Sequence, residues 1–373
     1  MAEILIATWD GGGNVPPALL IGRELQSRGH GVRVIGHETQ RAEVTAAGLP
    51  FTAYPTAEAF SSLDSLSVPR MAALFSDKRI GADVVTEAAR QRTDVVLVDC
   101  MLTGAVRACA VAGLPYVTIE HLYDGFLRGP WLKGPMGLVS WIRRLHPVRS
   151  WDRARRALVV TLADLDPAAS RDRSPGNLAW TGPVLDLPAP HDLTAHPPAL
   201  LISLSTFNFP GMAEAMQNLL DATADLDARV IVTTGPVVDP ASLRAAPNHE
   251  VHRYVPHDEL MPQVSLVIGH GGHATTMRAL AHDLPLVIMP MHPRLDQPMV
   301  GKTVEQAGAG AVVSKKAKPE ELRPIIARLL ADGPHRAAAA RLGAAIRSAN
   351  GTVTAADHVL AAVGTGNGVS SGR

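Results

Sequence analysis

Cysteine is scarce: Cys100 and Cys109 are the only two in 373 residues. They are too few for a disulfide framework and lack the spacing of a metal site, so a reducing, cytoplasmic setting is expected. Lys plus Arg equals Asp plus Glu at 35 each, which leaves no global field to draw the chain to nucleic acid or to an anionic membrane. No apolar run approaches the roughly 20 residues that a bilayer-spanning helix needs, so no stable membrane insertion is expected. The opening MAEILIATWDGGG has no basic stretch of the kind that begins a secretory leader, and reads as a strand and its loop.

Against these absences stand length and apolar content. A chain of 373 residues with 46% hydrophobic residues has material for two or three domains with sizeable cores. Glu3 to Thr8 reads as a buried parallel strand, Trp9 to Pro17 as a loop, Ala18 to Arg28 as a helix closed by Gly29, and Val32 to Ile35 as the next strand. That is a βαβ unit. Its GGGNVPP turn lacks the third, helix-packing glycine of GxGxxG, and Pro16 and Pro17 stand where the helix begins. Glu38 also falls nearer than the usual ribose-binding acid, so a nicotinamide-binding oxidoreductase is kept only as an alternative. Leu185 to Pro198 carries four prolines in fourteen residues and reads as a linker between residues 1–184 and 199–363. After it the pattern restarts with a strand at Leu200 to Leu204, a helix from about Gly211 to Ala224 and a strand at Arg229 to Thr234. Residues 364–373, GTGNGVSSGR, are expected to be disordered.

The stretch with the most chemistry is SLVIGHGGHATTMRALAHDLPLVIMPMHPRLDQ, Ser265 to Gln297. It reads as strand, Gly-rich turn, helix, strand and polar loop. Glycines between a strand and a helix let a ligand approach the backbone, and the free N–H groups of a helix's first turn favour an anion, typically phosphate. His270 stands at the strand end, within reach of such a phosphate.

The order His270-Gly271-Gly272, Ala274-Thr275, Leu284-Pro285-Leu286, Asp296-Gln297 resembles the donor-binding signature of nucleotide-sugar glycosyltransferases of the GT-B fold. More narrowly, it is similar to that of the bacterial natural-product enzymes related to plant and animal UDP-sugar transferases. The resemblance covers almost the whole chain. It implies an α/β architecture of two Rossmann-like domains whose parallel sheets face each other across a cleft, with the last helix crossing back to the first domain. It implies an inverting hexosyl transfer from a UDP- or dTDP-sugar to a hydroxyl of a lipophilic acceptor, with no metal and no cofactor beyond the co-substrate. Donor contacts are then expected from Ser205 and Thr206, from Tyr254 and Val255 of the Tyr-Val-Pro-His element, from His270, Gly272, His273, Ala274 and Thr275, and from Asp296 and Gln297. Residues 55–83 and 125–155, the latter with Trp131, Trp141 and Trp151, are expected to form insertions lining an apolar acceptor pocket. Core packing or partial membrane-surface contact is the other reading of the tryptophans. The arginines at 143, 144, 153, 155 and 156 read as a solvated helix face or a surface-binding patch. A homodimer is left open.

One position departs from the family. Where its members usually carry the His that takes the acceptor's proton, this chain has Asn14, and a carboxamide accepts no proton at a useful pH. Asp99, matching the carboxylate that orients that His, becomes the candidate base, directly or through water; capping of the following helix is its other reading. Asp10, on the same loop, and His121, at the end of another strand, are the further candidates. The substitution also leaves open a non-catalytic nucleotide-sugar-binding protein.

Overall fold

Apolar runs too short for helices and rich in Val, Ile and Leu suit strands buried on both faces, the condition of parallel sheets covered by helices. The chain follows that rule twice. The computed structural model describes residues 1–61, 67–187 and 198–364. It divides into two compact units, one of residues 1–186 with 349–373 and one of residues 187–348. Most of the Pro-rich linker, residues 188–197, and the tail residues 365–373 lie outside the described residues.

The first unit holds seven strands: β1 (Glu3–Ala7), β2 (Gly31–Gly36), β3 (Phe51–Ala53), β4 (Val95–Asp99), β5 (Tyr116–Glu120), β6 (Arg156–Val159) and β7 (Leu178–Trp180). All pair in parallel, in the order β3-β2-β1-β4-β5-β6-β7. The order reverses direction between β1 and β4, and at such a switch point the loops leaving the strands' carboxyl ends part to form a crevice. The helix after β1 starts at Val15, three residues earlier than the periodicity predicts. Pro16 and Pro17 occupy its first turn, where a missing N–H breaks no intrahelical bond. The core of this unit joins Ile4, Ile6, Leu19, Ile21 and Leu25 to Ala355, Ala356, Val359 and Ala362 of the terminal helix Gly351–Gly364. Arg28 clasps that helix through Asp357 at 2.5 Å.

The second unit holds β8 (Ala199–Ser203), β9 (Arg229–Thr233), β10 (His249–His252), β11 (Leu266–Gly269), β12 (Leu286–Ile288) and β13 (Gly310–Val312). They form a parallel sheet in the order β10-β9-β8-β11-β12-β13. Its switch point falls between β8 and β11, beside Ser203 and His270. Leu200, Ile202, Met216, Leu219, Val230 and Ile268 belong to its core.

The insertions fold as helices, among them Val68–Phe75, Lys78–Arg90, Pro135–Ile142 and Pro147–Arg153. Their aromatic rings do not line an open pocket as expected. Trp131 and Trp151 are buried in a row with Phe75 and Trp9, centroids 5.0–6.4 Å apart, edge to face between Trp9 and Phe75 and tilted in the other two pairs, an arrangement that takes their large apolar surface out of water. Trp141 is the exception at 74% exposure.

The helices Lys78–Arg90 and Thr103–Ala112 meet through glycines: a Cβ on Gly81 would stand 2.7 Å from both Ala108 Cβ and the Gly104 carbonyl oxygen. The second of these helices leaves the turn after Asp99, so this close approach fixes where that turn sits. Gly81→Ala is expected to destabilise the protein by about 1–3 kcal/mol through overpacking, read as a lower denaturant midpoint; an unchanged midpoint would show that the helices separate freely.

Candidate active site

Asp99 is the last residue of β4, at the switch point of the first sheet, and is 1% exposed. A buried carboxylate must be met by donors or lose its charge. Its Oδ1 accepts the Met101 backbone N–H at 2.9 Å and its Oδ2 accepts Asn14 Nδ2–H at 3.0 Å. The helix after it is N-capped by Leu102, so Asp99 holds the turn and is not the cap. Asn14 is the N-cap of the helix Val15–Ser27 and makes no side-chain cap bond. Its amide is turned away to Asp99 and to the Trp9 carbonyl at 3.0 Å. The opposite amide orientation would set its oxygen against the carboxylate.

Register pairs Asp99 with Ile119, so His121 stands two residues beyond and brings Nδ1 to 3.3 Å from Asp99 Oδ2. The angle is too oblique for a hydrogen bond in this conformation. Cys100 ties the two strand ends together, its N–H on the Ile119 carbonyl and its own carbonyl accepting Trp151 Nε1–H at 2.9 Å. Asp99, Cys100 and His121 offer atoms within 4.8 Å of one another, the spacing from which a metal set is drawn. Burial, with Asp99, Glu120 and Asp124 nearby, pushes the Cys100 thiol far up and keeps it protonated, and both Asp99 oxygens already accept N–H donors, so the group suits proton handling better than metal ligation. Next to it, Glu120 is pushed well above the carboxylate range, by burial first and then by Asp124, and stays neutral beside His121. Asp166 accepts the N–H groups of Asp124 and Gly125 at 2.9 and 3.0 Å and holds the turn that follows. Asp10 lies half-buried in the loop between Trp9 and Asn14. The glycines of that loop offer little to a dinucleotide: a Cβ on Gly11 would strike the Trp9 ring and the Asn14 Oδ1 at 2.6 Å, and prolines replace donors in the helix's first turn.

In the second unit the helix runs His273–Ala281, with Gly272 as N-cap. Its first intrahelical bond is from Thr276 N–H to the Gly272 carbonyl, leaving the N–H groups of Ala274 and Thr275 without a helical carbonyl, the arrangement that favours an anion. Gly271 has φ +82°, and a Cβ there would meet Ile288 Cγ2 at 2.7 Å, so only glycine fits the turn. Burial pushes His270 down to about 4 and His257 likewise to about 4. Both rings are neutral at pH 7. His257 shares a hydrogen bond with Ser203 Oγ at 3.0 Å. The sequence reading left both out of the site: His257 by giving the Tyr-Val-Pro-His element only a base contact, Ser203 by placing it inside the strand.

Tyr254 is 76% exposed with Val255 half-buried beside it. Ser205 Oγ accepts the Phe207 N–H at 3.0 Å, a turn role, and Thr206 is exposed. Gln297 Oε1 accepts the N–H groups of Met291 and His292 at 2.8 and 3.0 Å, which commits its carbonyl to the loop. Burial pushes Asp296, the neighbouring N-cap, up to about 6. A surface cavity of about 290 Å³ near Phe209, Glu214, Val237 and Asp239 contains none of these residues.

A histidine held near 4 when folded and near 6.5 when unfolded contributes stability that is present above pH 6.5 and lost as pH falls through about 4. His257→Gln is therefore expected to flatten the acid-side fall in unfolding free energy by up to about 3 kcal/mol, measured by denaturant titrations at a series of pH values. A slope equal to that of the native chain would show that the ring protonates freely when folded.

Residues 217–357 match the erythromycin biosynthesis protein CIII-like C-terminal domain. The UDP-glucosyltransferase YojK of Bacillus subtilis, itself uncharacterised, is 25% identical over 400 residues, spanning 97% of this chain and 98% of that one. The 4'-demethylrebeccamycin synthase of Lentzea aerocolonigenes is 27% identical over 423 residues, 96% of this chain and 99% of that one. Among solved structures, the glycotransferase of kitacinnamycin shares the fold with a TM-score of 0.81 at 22% identity, covering 97% of this chain and 98% of that one. With two parallel-sheet α/β units and these relatives in hand, the chain has the GT-B fold and is a glycosyltransferase similar to the natural-product enzymes.

Proposed function

We propose that this enzyme moves a sugar from a UDP- or dTDP-sugar to a hydroxyl of a lipophilic small molecule, with inversion, by a single displacement at the anomeric carbon. The observation that carries the donor assignment is the open first turn of the helix His273–Ala281, with His270 beside it. The diphosphate would rest on the N–H groups of Ala274 and Thr275 and on a His270 N–H, the glycine at 272 allowing the approach. A neutral imidazole donates one hydrogen bond in the ground state and gains affinity for a proton as negative charge grows on the leaving phosphate. That charge sink does the work for which other transferases use a metal. The exposed Tyr254 ring would stack on the base while the Val255 backbone reads its edge. Ser203, Ser205, Thr206 and His257 supply further polar contacts, and Asp296 with the Gln297 amide N–H faces the sugar hydroxyls.

The acceptor hydroxyl would meet the Asp99 centre of the first unit, where Asp99, Asn14, Asp10 and His121 lie at the strand ends. Exposed Leu138, Trp141 and Ile142 on the helix Pro135–Ile142 favour a lipophilic acceptor. Two buried free cysteines fit work in the cytoplasm, and no described helix is long and apolar enough to cross a membrane.

His270→Ala is expected to lower turnover about 10²–10³-fold, the usual consequence of deleting one donor to a developing oxyanion. Turnover is read as UDP or dTDP release from UDP-glucose or dTDP-glucose in the presence of a panel of phenols and alcohols. Turnover near that of the unmodified enzyme would sink the phosphate assignment.

A further inference from the structure

The carboxylate at position 99 is the obvious heir to the missing histidine base, yet it is poorly placed to touch an acceptor. It is 1% exposed, Oδ1 is taken by the Met101 N–H, and Oδ2 faces both Asn14 Nδ2 and His121 Nδ1. His121 has the opposite character. Its Nδ1 is enclosed against Asp99, while the side chain keeps 13% exposure through the rest of the ring. The imidazole thus presents one nitrogen to a fixed carboxylate and turns its other edge outward, the arrangement of a base with its orienting group. We propose that His121 Nε2 is the base that deprotonates the acceptor hydroxyl, with Asp99 orienting His121 and Asn14 orienting Asp99.

This rests on the reading of the reaction given above. The acceptor O–H proton passes to His121 Nε2, and the freed oxygen lone pair forms the new bond to the anomeric carbon. The bond from that carbon to the diphosphate oxygen breaks with its electron pair leaving on the diphosphate. The imidazolium, stabilised through Nδ1–H to Asp99 Oδ2, later returns its proton to water. A modest rotation of the ring turns the oblique 3.3 Å contact into that hydrogen bond, and such contacts commonly tighten only in the reacting complex. Asn14 then has a positioning role: it spends its amide on the Asp99 oxygen that His121 needs and gives up the capping bond that an Asn at a helix N-cap ordinarily makes.

Two acceptors separate a base from a structural residue. 4-Nitrophenol is already ionised at mildly alkaline pH and needs no base, whereas 2-phenylethanol does. His121→Gln is expected to slow transfer from UDP-glucose or dTDP-glucose to 2-phenylethanol about 10²–10⁴-fold, the usual contribution of general base catalysis, while transfer to 4-nitrophenolate stays within a few-fold. The pair Asn14→His with His121→Gln returns an imidazole to within reach of Asp99 Oδ2 and is expected to recover part of the alcohol transfer. Equal losses with both acceptors, or no loss with either, would overturn the assignment, as would full alcohol transfer by His121→Gln combined with its abolition by Asp99→Asn. Donor affinity, followed separately by calorimetry, is set in the other unit and is unchanged in these variants, so a failure of the reaction reading would appear there and not in the ratio of the two acceptors.

Discussion

A single buried carboxylate organises the first unit's chemistry. Removing Asp99 from water would cost several kcal/mol without partners, and the surrounding residues are arranged to meet that demand. The Met101 N–H caps one oxygen, Asn14 crosses from the loop after β1 to reach the other, and His121 leans in from β5. These groups come from three strands that the order β1-β4-β5 makes neighbours. The sheet's parallel register, the glycine contacts that seat the helix Thr103–Ala112, and the aromatic row behind the loop all serve to hold this point still. Glu120, equally buried beside it, is pushed well above the carboxylate range by burial and by Asp124.

The second unit handles charge the other way. At its switch point it offers the first turn of the helix His273–Ala281, with the N–H groups of Ala274 and Thr275, and two imidazoles that burial keeps neutral. A site of oriented dipoles without fixed positive charge costs little to hold empty and gains most when negative charge develops against it. The two sheets thus share a strand plan and differ in the sign of the group each presents at its switch point.

Much of this was legible in the sequence. The buried runs marked β1, β2, β8, β9 and β11 to within one residue, and His270, Gly271 and Gly272 marked the turn into the helix His273–Ala281, while β3, β6, β7, β10 and β13 were not read as strands. Other features depend on partners far apart in the chain. That Asn14 abandons its cap for Asp99, eighty-five residues on, follows from a strand order no local pattern encodes. Trp131 and Trp151 read either as lining of a pocket or as core packing; they are core, because Trp9 from the loop after β1 and Phe75 from the helix Val68–Phe75 arrive to pack with them. Gln297 read as a sugar contact, and only the folded loop shows its carbonyl spent on Met291 and His292. The prolines at 16 and 17 were assigned to the loop before Ala18, although the first turn is where a helix tolerates them.

The central claim is that a nucleotide sugar's diphosphate sits on the first turn after β11. Hydrogen–deuterium exchange of the full chain, with and without UDP-glucose or dTDP-glucose, tests it most directly. Slowed exchange at residues 270–276 and 204–206 is the predicted result. Protection confined to residues 208–214 and 237–239 around the surface cavity, or to the glycine loop at 10–15, with 270–276 unchanged, would contradict it.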